Sequence, residues 1–160
     1  MKRLEKVDYS MDKIVEMLGR AAWTCDFNMD QIKLLAGHVQ AYKAPKWTVL
    51  INEGKTDGAM GILIKGVIEI IMTDHVHHNK VIASLRPPQT FGEMSMLDEE
   101  PRSAKAIAAS DVIVLVVAKD DFFEIAKTSP ELALEFLWSI SRMISKRLRN
   151  TSCRLAEYIE

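Results

Sequence analysis

The stretch WTVLINEGKTDGAMGILIKGVIEIIMTDHVHHNKVIASL, residues 47 to 85, decides the fold class. Four short apolar runs stand in it, WTVLI, MGILIK, VIEIIM and KVIASL, and each is bounded by EGKTDG, Gly66 or TDHVHHN. Runs of that length rich in Val and Ile and closed by Gly, Asn and Asp read as strands joined by tight turns. After an interruption at residues 86 to 103 the pattern resumes with AKAIAA and VIVLVV, where Ser110 and Asp111 supply the turn. No helical period intervenes between these strands, so the expectation is an antiparallel sandwich or barrel rather than a parallel α/β sheet.

Helices flank this block on both sides. Residues 9 to 38 space Met11, Ile14, Val15 and Leu18, then Ile32, Leu34, Leu35 and Val39, at helical intervals. Asn28 precedes the second run, where its side-chain oxygen can cap the first turn. On the C-terminal side Asp120 and Asp121 precede FFEIAK. Pro130, with Ser129 as candidate cap, then opens a segment without Gly or further Pro. Its apolar stripe is Leu137, Ile140, Ile144, Leu148, Leu155 and Ile159. About thirty residues at roughly 1.5 Å each make a rod of about 45 Å, longer than a small barrel covers. A near-heptad stripe of this kind is expected to pair with its own copy in a parallel homodimer.

A chain of 160 residues with 48% apolar and 27% charged side chains suits one soluble domain spanning 1–160. The expected parts are N-terminal helices over 1–45, a barrel over 46–118 and two helices over 120–160. A net charge of -1 offers no global field toward nucleic acid or an anionic membrane. Cys25 and Cys153, without a CxxC, exclude a disulfide framework and a four-thiolate cluster. The MKRLEKVDYS opening has no apolar signal core and no run approaches a membrane span, so a cytoplasmic setting is expected. No Walker loop, HExxH or nucleophile–base signature is present, and no catalytic activity or cofactor is expected.

The chemistry concentrates in FGEMSMLDEEPRSAKA, residues 91 to 106. Gly92 allows a turn or a close backbone approach, and Met94, Met96 and Leu97 are expected to pin a short helical turn to the core. Free amides at that turn, with Arg102 as a planar fork of donors, suit a singly charged phosphate diester, while Glu93 can accept from a hydroxyl.

FGE followed at this spacing by Pro101-Arg102-Ser103-Ala104 resembles the phosphate-binding cassette of the cyclic nucleotide-binding domain family, in its catabolite activator-like and protein kinase A regulatory-like branches. INEG at residues 51 to 54 and ILIKGVIEII after it resemble that family's hairpin, and Phe122, Pro130 and the long helix occupy the places of its B and C helices. The resemblance, over about residues 27 to 155, implies a jelly-roll barrel, a mainly β member of the α+β class, with N-terminal helices and a long C-terminal helix. It implies a cyclic nucleotide as ligand, with Glu93 on the ribose 2′-hydroxyl and Arg102 on the cyclic phosphate. Ser103 and the amides of Gly92, Glu93 and Ser95 complete the cradle, and Phe91, Met94 and Ala104 line it. KRLRNTS at 146 to 152 resembles the C-helix of the catabolite activator branch, which assigns Thr151 and Ser152 to the base. Counted from Pro130, that pair falls about one turn later here, and Pro88 stands where the family commonly has Gly. Ser103 in place of Thr beside the arginine favours cAMP over cGMP, by likeness to members that use Thr for guanine.

Alternatives stand beside these readings. The cassette could belong to a nucleotide-free dimerisation module on the same barrel. Thr151 and Ser152 could be a polar break in a dimer helix. Asp74, His75, His77 and His78 share one hairpin loop with no second cluster to close a coordination sphere, so a solvated loop is expected there and no metal site. Arg142, Lys146, Arg147, Arg149 and Arg154 are expected to form a solvated basic face, and no DNA-reading unit is expected to follow it. The effector that would hear such a sensor is not legible in the sequence.

Overall fold

A computed structural model describes residues 3–74 and 78–157 of the chain. The strands are β1 (Glu5–Val7), β2 (Gln40–Ala44), β3 (Val49–Ile51), β4 (Ala59–Lys65), β5 (Ile68–Thr73), β6 (Asn79–Leu85), β7 (Thr90–Phe91), β8 (Lys105–Ala108) and β9 (Val112–Ala118). They form two antiparallel sheets, one in the order β1-β2-β9-β4-β7 and the other β3-β8-β5-β6. Helices α1 (Met11–Gly19), α2 (Met29–Ala36), α3 (Glu93–Asp98), α4 (Lys119–Thr128) and α5 (Pro130–Ala156) complete the domain, with a 3-10 turn at Ala22–Thr24. This is the antiparallel architecture expected from the strand runs and the jelly-roll that the resemblance implies, with its long C-terminal helix in place.

Strands β4 and β9 explain why the chain holds together. Their register pairs Met60 with Val117 and Ile62 with Leu115, and these four residues are fully buried against the helices. The alternate residues Leu63, Val112 and Val114 point the other way, into the space between the two sheets with Ile68, Phe91 and Ala108. Covered on both faces, the two strands read as nearly continuous apolar runs. The helical side of the core is closed by Leu18, Leu35, Leu132, Phe136 and Ile140, with Trp23 edge-on to Phe136 at 5.1 Å between centroids.

Several expectations about the ends of the chain need correction. The barrel begins well before residue 46, because β1 pairs with β2 and β2 with β9 (Gln40↔Val116 to Ala44↔Val112). QAYKA hides its strand character because its buried positions are the small Ala41 and Ala44. Val39 therefore leads into a strand, and α2 stops at Ala36. Asn28 does cap α2, accepting from Gln31 N at 3.0 Å while Gln31 Oε1 accepts from Asn28 N at 2.8 Å. Ser129 stands before α5 but its side chain makes no capping bond.

The stripe on α5 also divides differently. Its 27 residues, about 40 Å of helix, bury Leu132, Ala133, Phe136, Ser139 and Ile140 in this chain's own core, with Ile144 packed at the edge. The face left in water carries Leu134, Trp138, Leu148 and Leu155, between 58% and 67% exposed. Ile140 thus belongs to the barrel side and Leu137 is half-buried, whereas Leu148 and Leu155 belong to the outer seam. Ile159 lies outside the described residues. No helix among the described residues is long and apolar enough to cross a membrane.

Candidate functional site

The site is built where β7 meets β4. Phe91 pairs with Gly61 and Thr90 with Ile62. A Cβ at Gly61 would stand 2.3 Å from Phe91 Cζ, so the ring lies directly on the β4 backbone. The chain then turns through Gly92 in the left-handed conformation (φ 77°), where a Cβ would lie 2.7 Å from Arg102 Nη1 and 2.9 Å from Ile51 Cδ1. Glycine is required here on both counts. The six-residue α3 follows, and it buries Glu93, Ser95 and, of the three apolar residues expected, only Met96. Met94 (51% exposed) and Leu97 (37%) face out, because so short a helix turns only one narrow face inward.

Arg102 is buried at 4% exposure and held by the loop between β3 and β4. Its Nε donates to Asp57 Oδ1 at 2.9 Å, Nη2 to the Ala59 carbonyl at 2.7 Å and Nη1 to the Gly92 carbonyl at 2.5 Å. Its main chain is clasped by the same loop, Arg102 N donating to Lys55 O and Gly54 N to Arg102 O. A guanidinium has five N–H donors, so each terminal nitrogen keeps one beyond these bonds. Asp57, which gave no signal in the sequence, is thus the residue that orients the arginine.

Glu93 is equally buried at 4%. Its Oε1 accepts from Arg147 Nη1 of α5, and its Oε2 is buried with no partner among the described residues. The second nitrogen of Arg147 donates to Thr90 O at 2.7 Å and to Thr90 Oγ1 at 3.1 Å. The basic-face reading therefore fails for Arg147, which is half-buried and reaches a buried carboxylate. Arg142 stays on the exposed face, where it pairs with Asp26 beside the 3-10 turn. Arg142, first by its hydrogen bond and then by its charge, holds the Asp26 carboxyl below the usual carboxylate range.

Between these groups lies a cavity of about 530 Å³. One wall is Ile70 with Ile82 to Leu85, the floor is Phe91 to Ser95 with Arg102, Ser103 and Ala104, and the helical wall is Arg147, Asn150, Thr151 and Arg154. All eight cassette residues named from the sequence meet here. Thr151 joins them. Ser152 does not, since it is exposed on the side of α5 turned away from the cavity. Arg147, Asn150 and Arg154 were missed as site residues, although their spacing of three and four around Thr151 marks a single helix face. The volume is in the range of small-ligand sites.

Asp74 of the histidine loop accepts from His78 N at 2.8 Å and pairs with Lys80 at 3.1 Å. His75 and His77 lie outside the described residues. Among the described residues no group of three His, Cys, Asp or Glu could hold a metal ion.

Comparison with known proteins agrees with this geometry. The family model described as "Cyclic nucleotide-binding domain" matches residues 42–129. The cyclic AMP receptor protein of Thermus thermophilus is 25% identical over 126 residues, 79% of this chain and 56% of that protein. The cAMP-dependent protein kinase regulatory subunit of Aspergillus fumigatus is 32% identical over 88 residues, 55% of this chain and 21% of that protein. The chain thus spans little more than half of the first relative and a fifth of the second. Among solved structures, a cyclic nucleotide-binding domain from Methylobacillus flagellatus superposes with a TM-score of 0.87 at 22% identity, covering 98% of this chain and 90% of that one. At that identity the likeness shows the fold.

Proposed function

The chain belongs to the cyclic nucleotide-binding domain family, and from that membership we propose that it is a cAMP-binding regulatory module, a sensor rather than an enzyme. The observation that carries the reading is Glu93 Oε2, a buried carboxylate oxygen without a donor among the described residues, on a side chain that lines the same cavity as Arg102. A ribose 2′-hydroxyl is a donor of the size and polarity that this oxygen lacks, and a cyclic phosphate accepts from the N–H groups Arg102 keeps. Ser103 and the amides from Gly92 to Ser95 complete the phosphate cradle. The preference for cAMP over cGMP rests on Ser103.

Ligand reaches α5 through Arg147. A guanidinium that bonds Glu93 must share that carboxylate with the sugar or leave it, and either outcome changes how α5 lies on the barrel. Ligand drives this only through tighter binding to one arrangement. The exposed Leu134, Trp138, Leu148 and Leu155 stand in one heptad frame of alternating fours and threes, whose remaining positions are Ser141, Ser145 and Ser152. That pattern supports a parallel homodimer along α5, with Ser152 on the partner-facing seam rather than in its own chain's cavity. A reducing cytoplasm suits the two exposed free thiols, Cys25 and Cys153.

A second reading, a nucleotide-free dimerisation module, draws on the same ion pairs, since Arg147 and Asp57 already partner the two polar residues of the site. Calorimetry with cAMP and cGMP on the wild type and on Arg102→Ala separates the two. Binding by the wild type, weakened by about 1.5–3 kcal/mol in the variant, supports the sensor; no heat with either nucleotide at high micromolar concentration leaves the second reading. A tenfold preference for cGMP, about 1.4 kcal/mol, would overturn the choice of base.

A further inference from the structure

Alternation along β4 leaves one end of the space between the two sheets short of side chain. Of the residues that β4 turns to that face, Leu63 is large, whereas Ala59 and Gly61 are not. Opposite them on β9 stand Ala118 and Val116, which add little. A second cavity of about 190 Å³ results, in a region where close packing normally leaves few voids larger than a water. Leu4, Tyr42, Leu50 and Val116 line it and are only half-buried, although they pack against the inter-sheet core. Ile51, Phe91 and Arg102 line this cavity and the larger one alike, and so form the wall between them. Asp57, whose side chain is 66% exposed, and Leu4, just ahead of the three-residue edge strand β1, mark its mouth.

We propose that this second cavity takes up one neutral aromatic ring with at most a short alkyl arm, and that its occupant acts as an effector of the larger cavity through Phe91 and Arg102. Size sets the first limit. An apolar cavity of about 150 Å³ stays dry and holds benzene, so about 190 Å³ leaves room for little beyond the ring. Charge sets the second, because the polar groups of the lining are already engaged. Arg102 Nε donates to Asp57 Oδ1 at 2.9 Å, and the Tyr42 hydroxyl donates to Gln40 Oε1 at 2.9 Å. A charged ligand would shed its water for few new partners, a cost that an aromatic hydrocarbon does not meet. The effector role rests on the larger cavity being the nucleotide site: an occupant packs against Phe91, whose strand delivers the cassette, and beside the arginine proposed to hold the phosphate.

Methyl NMR on the full chain with toluene and with benzoate tests the site in the absence of nucleotide. Toluene is expected to shift the methyl signals of Leu4, Leu50, Val114 and Val116 saturably, and to leave in place those of Ile82 and Leu85, which line only the larger cavity. Val116→Phe, which fills the space from β9, should lose these shifts; should it fail to fold, Leu50→Phe fills the same space from β3. Shifts confined to Ile82 and Leu85, no saturable shift in the wild type, or tighter binding of benzoate than of toluene would overturn the site. Calorimetry of cAMP with and without saturating toluene tests the link. The cAMP affinity is expected to change by about fivefold or more, and the toluene affinity by the same factor when cAMP is bound. An unchanged cAMP affinity overturns the effector role. No heat from cAMP overturns the nucleotide reading and that role together, while the toluene shifts, measured without nucleotide, still decide the site.

Discussion

Arg147 and Glu93 form the contact that closes the helical side of the site. Removing the guanidinium leaves a carboxylate that is 4% exposed with neither oxygen paired, and a charged group left so costs about 1–3 kcal/mol or more. Arg147→Ala should therefore melt earlier than the wild type without nucleotide, in a calorimetric or circular-dichroism scan. Adding Glu93→Gln to it should recover part of the loss, since a neutral amide is cheaper to bury. An additive double variant would show that the pair is not coupled. Glu93, Arg102 and Ser103 were legible in the sequence because a motif of fixed spacing carries them. Arg147 and Asp57 were not, because each acts on the cassette from a distant segment, 54 and 45 residues away, and a lone charged residue in a helix or loop looks like any solvated one. Only the packing of α5 over the cavity separates Arg147 from its neighbours Lys146 and Arg149.

At the scale of elements, α3 stands or falls with the residue before it. Gly92→Ala puts a side chain at φ 77°, which costs about 1–2 kcal/mol, and drives its Cβ toward Arg102 Nη1. Nucleotide titrations of this variant should show a larger loss of affinity than its melting temperature alone implies, because the displaced group is the arginine proposed to hold the phosphate. The contact between the N-terminal helices and α5 has a different sensitivity. Arg142 lowers the Asp26 carboxyl, so the stabilisation is present above the ordinary carboxylate range and is lost as pH falls through the lowered folded value. An NMR titration of Asp26 should show a midpoint below that of a free aspartate, and Arg142→Ala should return it upward. Strands β3 to β6, β8 and β9 were legible because runs of Val and Ile between turn residues have few other readings. β1 and β2 were not: a three-residue strand and one whose buried positions are alanines carry too little apolar pattern to separate from loop.

The whole molecule presents one long apolar strip to water. A small monomer seldom exposes large hydrophobic residues in a line, and here Leu134, Trp138, Leu148 and Leu155 follow one edge of α5. Sedimentation should find a dimer that Trp138→Glu or Leu148→Glu converts to monomer, with the barrel's melting profile retained because both residues lie outside its core. An unchanged sedimentation coefficient in both variants would assign the seam to some other partner. Leu134 and Trp138 of this strip escaped the sequence reading for a plain reason: α5 is apolar on two faces, and a single stripe drawn through Leu137, Ile140 and Leu148 crosses from one to the other.

The aromatic ring of Phe91 rests where any side chain at residue 61 would have to stand. Neither position is then free to drift by itself over evolutionary time. A lineage that acquires a methyl group at 61 must first, or at once, shrink residue 91, and doing so shifts the strand that delivers the cassette. Substitutions at these two places should consequently appear as matched exchanges among descendants that keep a working pocket, and as unmatched ones in those that have abandoned it.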